Sequence, residues 1–224
     1  MLTPSVREVT IDPGPAFEFE PGQWVSIKIP DAAGRDLARS YSIASAPRSD
    51  GTFDLAVTLV EHGPGSGYLH GVAVGTSLAI SRAQGFFTMD DFSRPAILVA
   101  TGTGVCPFRS MVQALASVHQ RLPHPVSLLL GVRSEQDLLY ADEFAAYERS
   151  LPGFRFLPCL SRPTDPWSGL RGYVQAHVPD LVRQHEAACD VYVCGLSRMV
   201  TDLRGMLKNQ LGLSKDSIHT ERYD

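Results

Sequence analysis

The chain has 224 residues, enough for one large domain or two modest ones. Apolar residues make up 44% and charged residues 20%, the balance of an ordinary soluble globular protein, and a net charge of −4 gives no reason to expect nucleic acid. Met1–Thr10 has no basic-then-apolar pattern, no apolar run approaches membrane-spanning length, and Cys106, Cys159, Cys189 and Cys194 lack C-x-x-C or cluster spacing, so a reduced cytoplasmic protein without signal peptide, membrane partner or metal site is expected.

Up to about residue 92 the chain reads as short β segments split by Gly and Pro: Ser5–Ile11, Trp24–Ile29, Arg39–Ser45, Thr52–Val60 and Ser77–Ser81. Phe53, Leu55, Val57 and Leu59 alternate with Thr52, Asp54, Ala56 and Thr58, which predicts a half-buried strand. Short antiparallel strands of this kind suggest a small barrel or sandwich.

From Arg94 strand-like and helix-like runs alternate. Strands are expected at Ala96–Ala100, Val126–Gly131, Phe154–Leu160, Asp190–Cys194 and Ser217–Glu221. Helices are expected at Pro107–His119, Ala141–Ser150, Tyr173–His185 and Ser197–Leu211. That alternation marks a parallel, doubly wound sheet. The boundary is expected at Asp90–Arg94, giving domains of residues 1–92 and 93–224. Residues 1–93 carry 6 Lys/Arg against 11 Asp/Glu, whereas the remainder carries 14 against 13, so the β region is the acidic one.

Several short motifs could hold phosphates or rings. In Arg39-Ser40-Tyr41-Ser42 a strand would place Arg39 and Tyr41 on one face. An arginine can grip a phosphate and a tyrosine ring can lie on a flat heterocycle, although an ordinary surface strand reads the same way. Gly63-Pro-Gly-Ser-Gly-Tyr-Leu-His70 is a glycine-rich turn running into a short helix, suited to a phosphate or to a hairpin loop. Gly85-Phe86-Phe87 suits either a ligand or apolar closure of the barrel. At Ala96–Arg109 a buried strand meets Gly102 and Gly104, and Pro107 can open a helix. Backbone N–H groups at such a turn can donate to a phosphate, although Pro107 replaces the third glycine of G-x-G-x-x-G.

Taken in order, Arg-x-Tyr-Ser at 39–42, Gly-x-x-Ser at 63–66, Gly85-x-Phe87, Thr-Gly-Thr-Gly-Val-x-Pro at 101–107 and Cys-Gly-x-x-x-Met at 194–199 resemble the ferredoxin–NADP reductase superfamily of flavoproteins. Pro21-Gly-Gln-Trp-Val-Ser-Ile, Gly131-Val-Arg-Ser and Asp137-Leu-Leu-Tyr140 extend the likeness to nearly the whole chain. The resemblance implies an N-terminal antiparallel six-stranded β-barrel holding non-covalent FAD, and a C-terminal five-stranded parallel doubly wound α/β sheet binding NAD(P)H. Residue by residue, it implies that Arg39 binds the flavin phosphate, Tyr41 stacks on the ring and Ser42 bonds near N5. Gly65 and Ser66 would hold the FAD pyrophosphate, and Tyr223 would cover the other ring face. Thr101, Gly102, Thr103 and Gly104 would receive the dinucleotide pyrophosphate, with Cys194, Gly195 and Met199 beside the nicotinamide. Ser42, Cys194 and Glu221 would be the catalytic set, and Arg133 and Arg162 candidates for a 2′-phosphate, which favours NADP over NAD. Arg198 is a further candidate.

The implied activity is hydride transfer between NAD(P)H and FAD, with electrons passed to or from a separate ferredoxin or an oxygenase component. An NAD(P)H:flavin reductase and a non-catalytic electron-transfer subunit remain as alternatives. An acidic ferredoxin would need a basic patch around Arg35, Arg39 and Arg48 to offset the acidic β region.

Overall fold

The computed structural model describes every residue except 15, 31–33, 90–91, 187 and 224. The expected domain boundary at Asp90–Arg94 therefore falls partly outside the described residues. The chain forms two compact units, Met1–Thr88 with Cys106–Ala114, and Met89–Val105 with Leu115–Asp224.

The first unit contains β1 (Val6–Ile11), β2 (Trp24–Pro30), β3 (Asp36–Ser42), β4 (Phe53–Thr58), α1 (Pro64–Gly71) and β5 (Ala79–Ile80). β1 and β4 pair antiparallel, and β2 lies between β3 and β5, also antiparallel. Among the described residues a single bridge, Ile43 to Leu55, ties the two sheets together. Along β2, Val25, Ile27 and Ile29 are buried while Lys28 is exposed, the period-two pattern of a one-sided strand. These residues join Phe53, Leu55, Val57 and Leu69 in the core, and Phe17 stacks on Phe53 at 5.2 Å.

Two expectations for this unit need correction. Among the described residues there are five strands in two sheets, and the expected six-stranded barrel is not closed. β5 spends its two residues on β2, and a cleft of about 900 Å³ separates it from β1. β4 is also not half-buried: Phe53–Val57 are buried on both faces, and Asp54 is 4% exposed. Its polar face is covered by side chains from the helix that follows residue 105.

The second unit holds β6 (Ala96–Thr101) and a 3-10 turn over Gly102–Val105; α2 (Cys106–Val118) follows directly, its residues Cys106–Ala114 belonging to the first unit. Then come β7 (Val126–Val132), α3 (Ala141–Ser150), β8 (Phe154–Leu160), β9 (Leu170–Arg171), α4 (Val178–Gln184), β10 (Asp190–Leu196), α5 (Ser197–Asn209) and β11 (Ile218–Tyr223). The sheet is parallel throughout, in the order β11-β10-β6-β7-β8-β9. It has six strands rather than the expected five. The addition is β9, two residues at the edge, too short to leave a periodic signal. The helix expected over Tyr173–His185 is divided into a 3-10 turn at Val174–Ala176 and α4. Pro179 has no N–H to continue a helix, so it stands in the first turn of a new one.

The central strands are apolar because both faces are covered. Ile97, Val99, Leu129, Val191 and Val193 pack with Val182 of α4 and with Val200, Leu203 and Leu207 of α5. At roughly 1.5–3 kcal/mol per buried aliphatic side chain, such a layer outweighs any single polar contact in the unit. No helix among the described residues is long and apolar enough to cross a membrane.

Candidate functional site

In the first unit the expected flavin residues meet at the start of α1. Gly63 caps the helix and Pro64 opens it. The N–H groups of Gly65 and Ser66 have no acceptor within the helix, the arrangement that receives an anion. The Ser66 hydroxyl is occupied elsewhere. It accepts from Val60 N at 3.0 Å and donates to the Gly63 carbonyl at 3.2 Å, closing the turn. The peptide N–H of Ser66, not its side chain, is therefore the group left to face a phosphate.

Arg39 and Tyr41 extend from β3 over the same turn. A Cβ on Gly65 would lie 2.9 Å from Arg39 Cγ, 3.2 Å from Tyr41 Oη and 3.4 Å from Ile29 Cδ1. Only glycine lets the two side chains lie this close to the helix end. Arg39 donates to the Ala38 carbonyl at 2.8 Å, and no carboxylate partner is present among the described residues. Burial raises the Tyr41 phenol above its ordinary value, opposed by the Arg39 charge, so the ring is neutral. A guanidinium, two N–H donors and a half-buried aromatic face fit the phosphate and ring of a flavin nucleotide. Ser42 closes β3 opposite Trp24 and is 7% exposed. Within Gly85-Phe86-Phe87, Phe87 is buried against Phe108 at 5.7 Å, whereas Phe86 is exposed.

Gly65→Ala is accordingly expected to weaken flavin retention at least about tenfold, because its methyl must displace Arg39 or Tyr41 from the turn. Flavin content after gel filtration, compared with wild type, checks this.

In the second unit the expected dinucleotide residues lie at the C-terminal ends of β6 and β10. These neighbours continue in opposite directions across the sheet, which makes their junction the switch point where α/β sheets bind ligands. Gly102 has φ +52 and Gly195 φ +140. A Cβ on Gly104 would lie 2.7 Å from the Cys194 carbonyl carbon and 2.8 Å from Gly195 Cα. A Cβ on Gly195 would strike Thr101 Oγ1. The two loops thus touch backbone to backbone, with no room for side chains between.

β11 adds the chain's last residues to this end of the sheet. Its register sets Glu221 beside Cys194, Arg222 beside Gly195 and Tyr223 beside Leu196. Cys194 is fully buried, and Met199 is 5% exposed within the core below the loop. Arg133 and Arg162 stand at the ends of β7 and β8, both exposed, joined by a 2.7 Å bond from Arg162 N to the Arg133 carbonyl.

Sequence reasoning missed Asp54 and Arg109. Asp54 receives Arg48 and Arg109 (3.2 Å) and accepts from Thr10 Oγ1 at 2.9 Å. The signals were an aspartate inside an apolar strand and an arginine inside the apolar start of α2. Arg48, tied to Asp54, is removed from the basic patch that an acidic ferredoxin was expected to need.

Comparison with known proteins bears on these sites. Residues 8–89 match the oxidoreductase FAD-binding domain and residues 98–205 the oxidoreductase NAD-binding domain. The ferredoxin–NADP reductase B of Sorangium cellulosum is 45% identical over 231 residues, covering 100% of this chain and 93% of that protein. The chain belongs to the ferredoxin–NADP reductase family. It is an FAD- and NAD(P)-binding oxidoreductase of that type. The phenol hydroxylase P5 protein of Acinetobacter pittii is more distant, 30% identical over 99% of this chain but only 62% of its own length. Among solved structures, a ferredoxin NADP+ reductase from Neisseria gonorrhoeae with bound FAD and NADP superposes with a TM-score of 0.77 at 25% identity, over 98% of this chain and 93% of that one.

Proposed function

We propose that the protein is an NADPH-dependent flavoenzyme of the cytoplasm that exchanges electrons with a separate ferredoxin. The observation that carries this reading is the 45% identity to a ferredoxin–NADP reductase along the full chain. FAD, when bound, takes two electrons as hydride and releases them singly. Arg39 and the N–H groups of Gly65 and Ser66 hold its phosphates, and the ring of Tyr41 supports one face of its isoalloxazine. Ser42 would hydrogen-bond beside its N5. Thr101–Gly104 hold the dinucleotide pyrophosphate. Cys194, Gly195 and Met199 border the nicotinamide, and Glu221 orients the polar edge beside Cys194. The cysteines form no disulfide among the described residues, which suits a reducing compartment.

Arg133 and Arg162 support NADP over NAD. Both guanidiniums are exposed, and no carboxylate pairs with either among the described residues. The nearby carboxylate of Glu135 is occupied by Thr164, through its N and Oγ1, each at 2.9 Å. Arg198 lies 4.0 Å from Asp202 and is the weaker candidate.

Anaerobic titration of the yellow protein with NADPH and NADH tests the whole reading. NADPH is expected to bleach the flavin at concentrations at least about tenfold lower than NADH, and Arg162→Ala is expected to remove most of that difference. A flavin that neither cofactor bleaches overturns the reductase assignment. Equal response to both cofactors overturns the NADP preference alone. An oxygenase component as acceptor is the second reading, favoured by the likeness to the phenol hydroxylase P5 protein.

A further inference from the structure

We propose that Arg109 is a positioning residue for the flavin-facing strand; the inference rests on the flavin site proposed above. Arg109 is 8% exposed on α2. Its Nη1 donates to the Ala44 carbonyl at 2.9 Å and to Asp54 Oδ2 at 3.2 Å, with Glu8 Oε2 at 3.5 Å. Ser110 Oγ donates to the Ser45 carbonyl at 2.7 Å, and Gln113 Oε1 accepts from Ala46 N at 2.8 Å. One face of α2 thus holds the backbone of three successive residues, Ala44, Ser45 and Ala46.

The same segment is held from its other side. Ile43 N donates to the Gln23 carbonyl at 2.9 Å, and Ala44 N to the Asp54 carbonyl at 2.7 Å. Asp54 N donates to Ser45 Oγ at 2.9 Å. Residues 43–46 are therefore fixed directly after Tyr41 and Ser42, the residues assigned to the flavin ring.

Packing alone does not call for an arginine here. Phe108, Met111 and Val112 of α2 already supply apolar contact, each no more than 1% exposed. A buried ion pair is commonly no more stable than an apolar replacement, because desolvation offsets its attraction. What a guanidinium adds is direction: it fixes an acceptor carbonyl and an acceptor carboxylate at once. Hydride transfer is sensitive to such placement, since a displacement of about 1 Å can cost about a hundredfold in rate.

The test compares FAD-loaded wild type, Arg109→Met and Arg109→Lys. Arg109→Met is expected to keep stoichiometric FAD, to shift the visible flavin band, and to slow single-turnover reduction by saturating NADPH at least about tenfold. Its KM for NADPH stays within about twofold of wild type, and Arg109→Lys recovers part of the rate. An unchanged band and rate, with only a lower Tm, reduce Arg109 to a structural pin and overturn the proposal. Should Arg109→Met not fold, the Ser110→Ala/Gln113→Ala double variant carries the same test, and an unchanged rate there is equally fatal. Wild-type flavin that NADPH and NADH both leave oxidised defeats the flavoenzyme reading itself. Normal wild-type reduction with unaltered variants defeats the positioning role alone.

Discussion

Asp54→Asn is expected to destabilise the protein by about 3 kcal/mol, the scale for removing one partner from a buried ion pair. The loss is larger than for a surface pair because Arg109 would remain buried beside a neutral amide. In a protein of this size it corresponds to a fall in Tm of roughly 6–12 °C. Burial pushes the Asp54 carboxyl up, but its bonds from Arg48, Thr10 and Arg109 outweigh that and hold it below the ordinary carboxylate value. A carboxyl lowered on folding adds stability above its unfolded pKa of about 4, and that stability is lost as pH falls through the folded value. Thermal unfolding between pH 7 and pH 3 checks both parts. Wild type should converge on Asp54→Asn at the acid end, and a constant gap across that range would refute the assignment.

Gly104→Ala should weaken dinucleotide binding while leaving flavin content unchanged. The added methyl would point at the Cys194–Gly195 backbone, which cannot turn aside as a side chain can. The ends of β6 and β10 must then separate, at a cost of about 1–3 kcal/mol, and the N–H groups of the turn lose their common aim. An increase in the Kd for NADPH of at least about tenfold follows. Gly205→Ala is the control, since a Cβ there meets open space within α5. If both variants bind NADPH like wild type, the switch-point loops are not the dinucleotide site.

Much of the arrangement is local and so was legible in the chain. The change of grammar at Arg94 places each central strand, because strands covered on both faces must be apolar along their length. Arg39 and Tyr41 belong to one motif and Gly65 to another, and the fold brings them to one turn. Pro179 was visible inside the expected Tyr173–His185 helix and should have divided it there. The features that escaped depend on partners distant in sequence. Asp54 looked like the polar half of an alternating strand because Arg109, 55 residues away, is what covers it. β9 exists through its pairing with β8 and has no pattern of its own. The open wall between β1 and β5 is likewise invisible to strand counting, since a turn can be read from sequence but a missing ladder cannot.

Because Cys106–Ala114 belongs to the compact unit that otherwise ends at Thr88, that unit is discontinuous along the chain. This sets an order of events during synthesis. Domains generally fold as units while the chain emerges, N-terminal first. Here the first unit must wait: β6 and the turn after it leave the ribosome before Arg109 and Phe108 can reach Asp54 and Phe87. The same fact governs transplantation into other proteins. A single cut after Thr88 would release a fragment that keeps Arg48 but lacks both Arg109 at Asp54 and the Phe108 ring on Phe87. A portable version of the FAD-binding half must carry residues 106–114 with it.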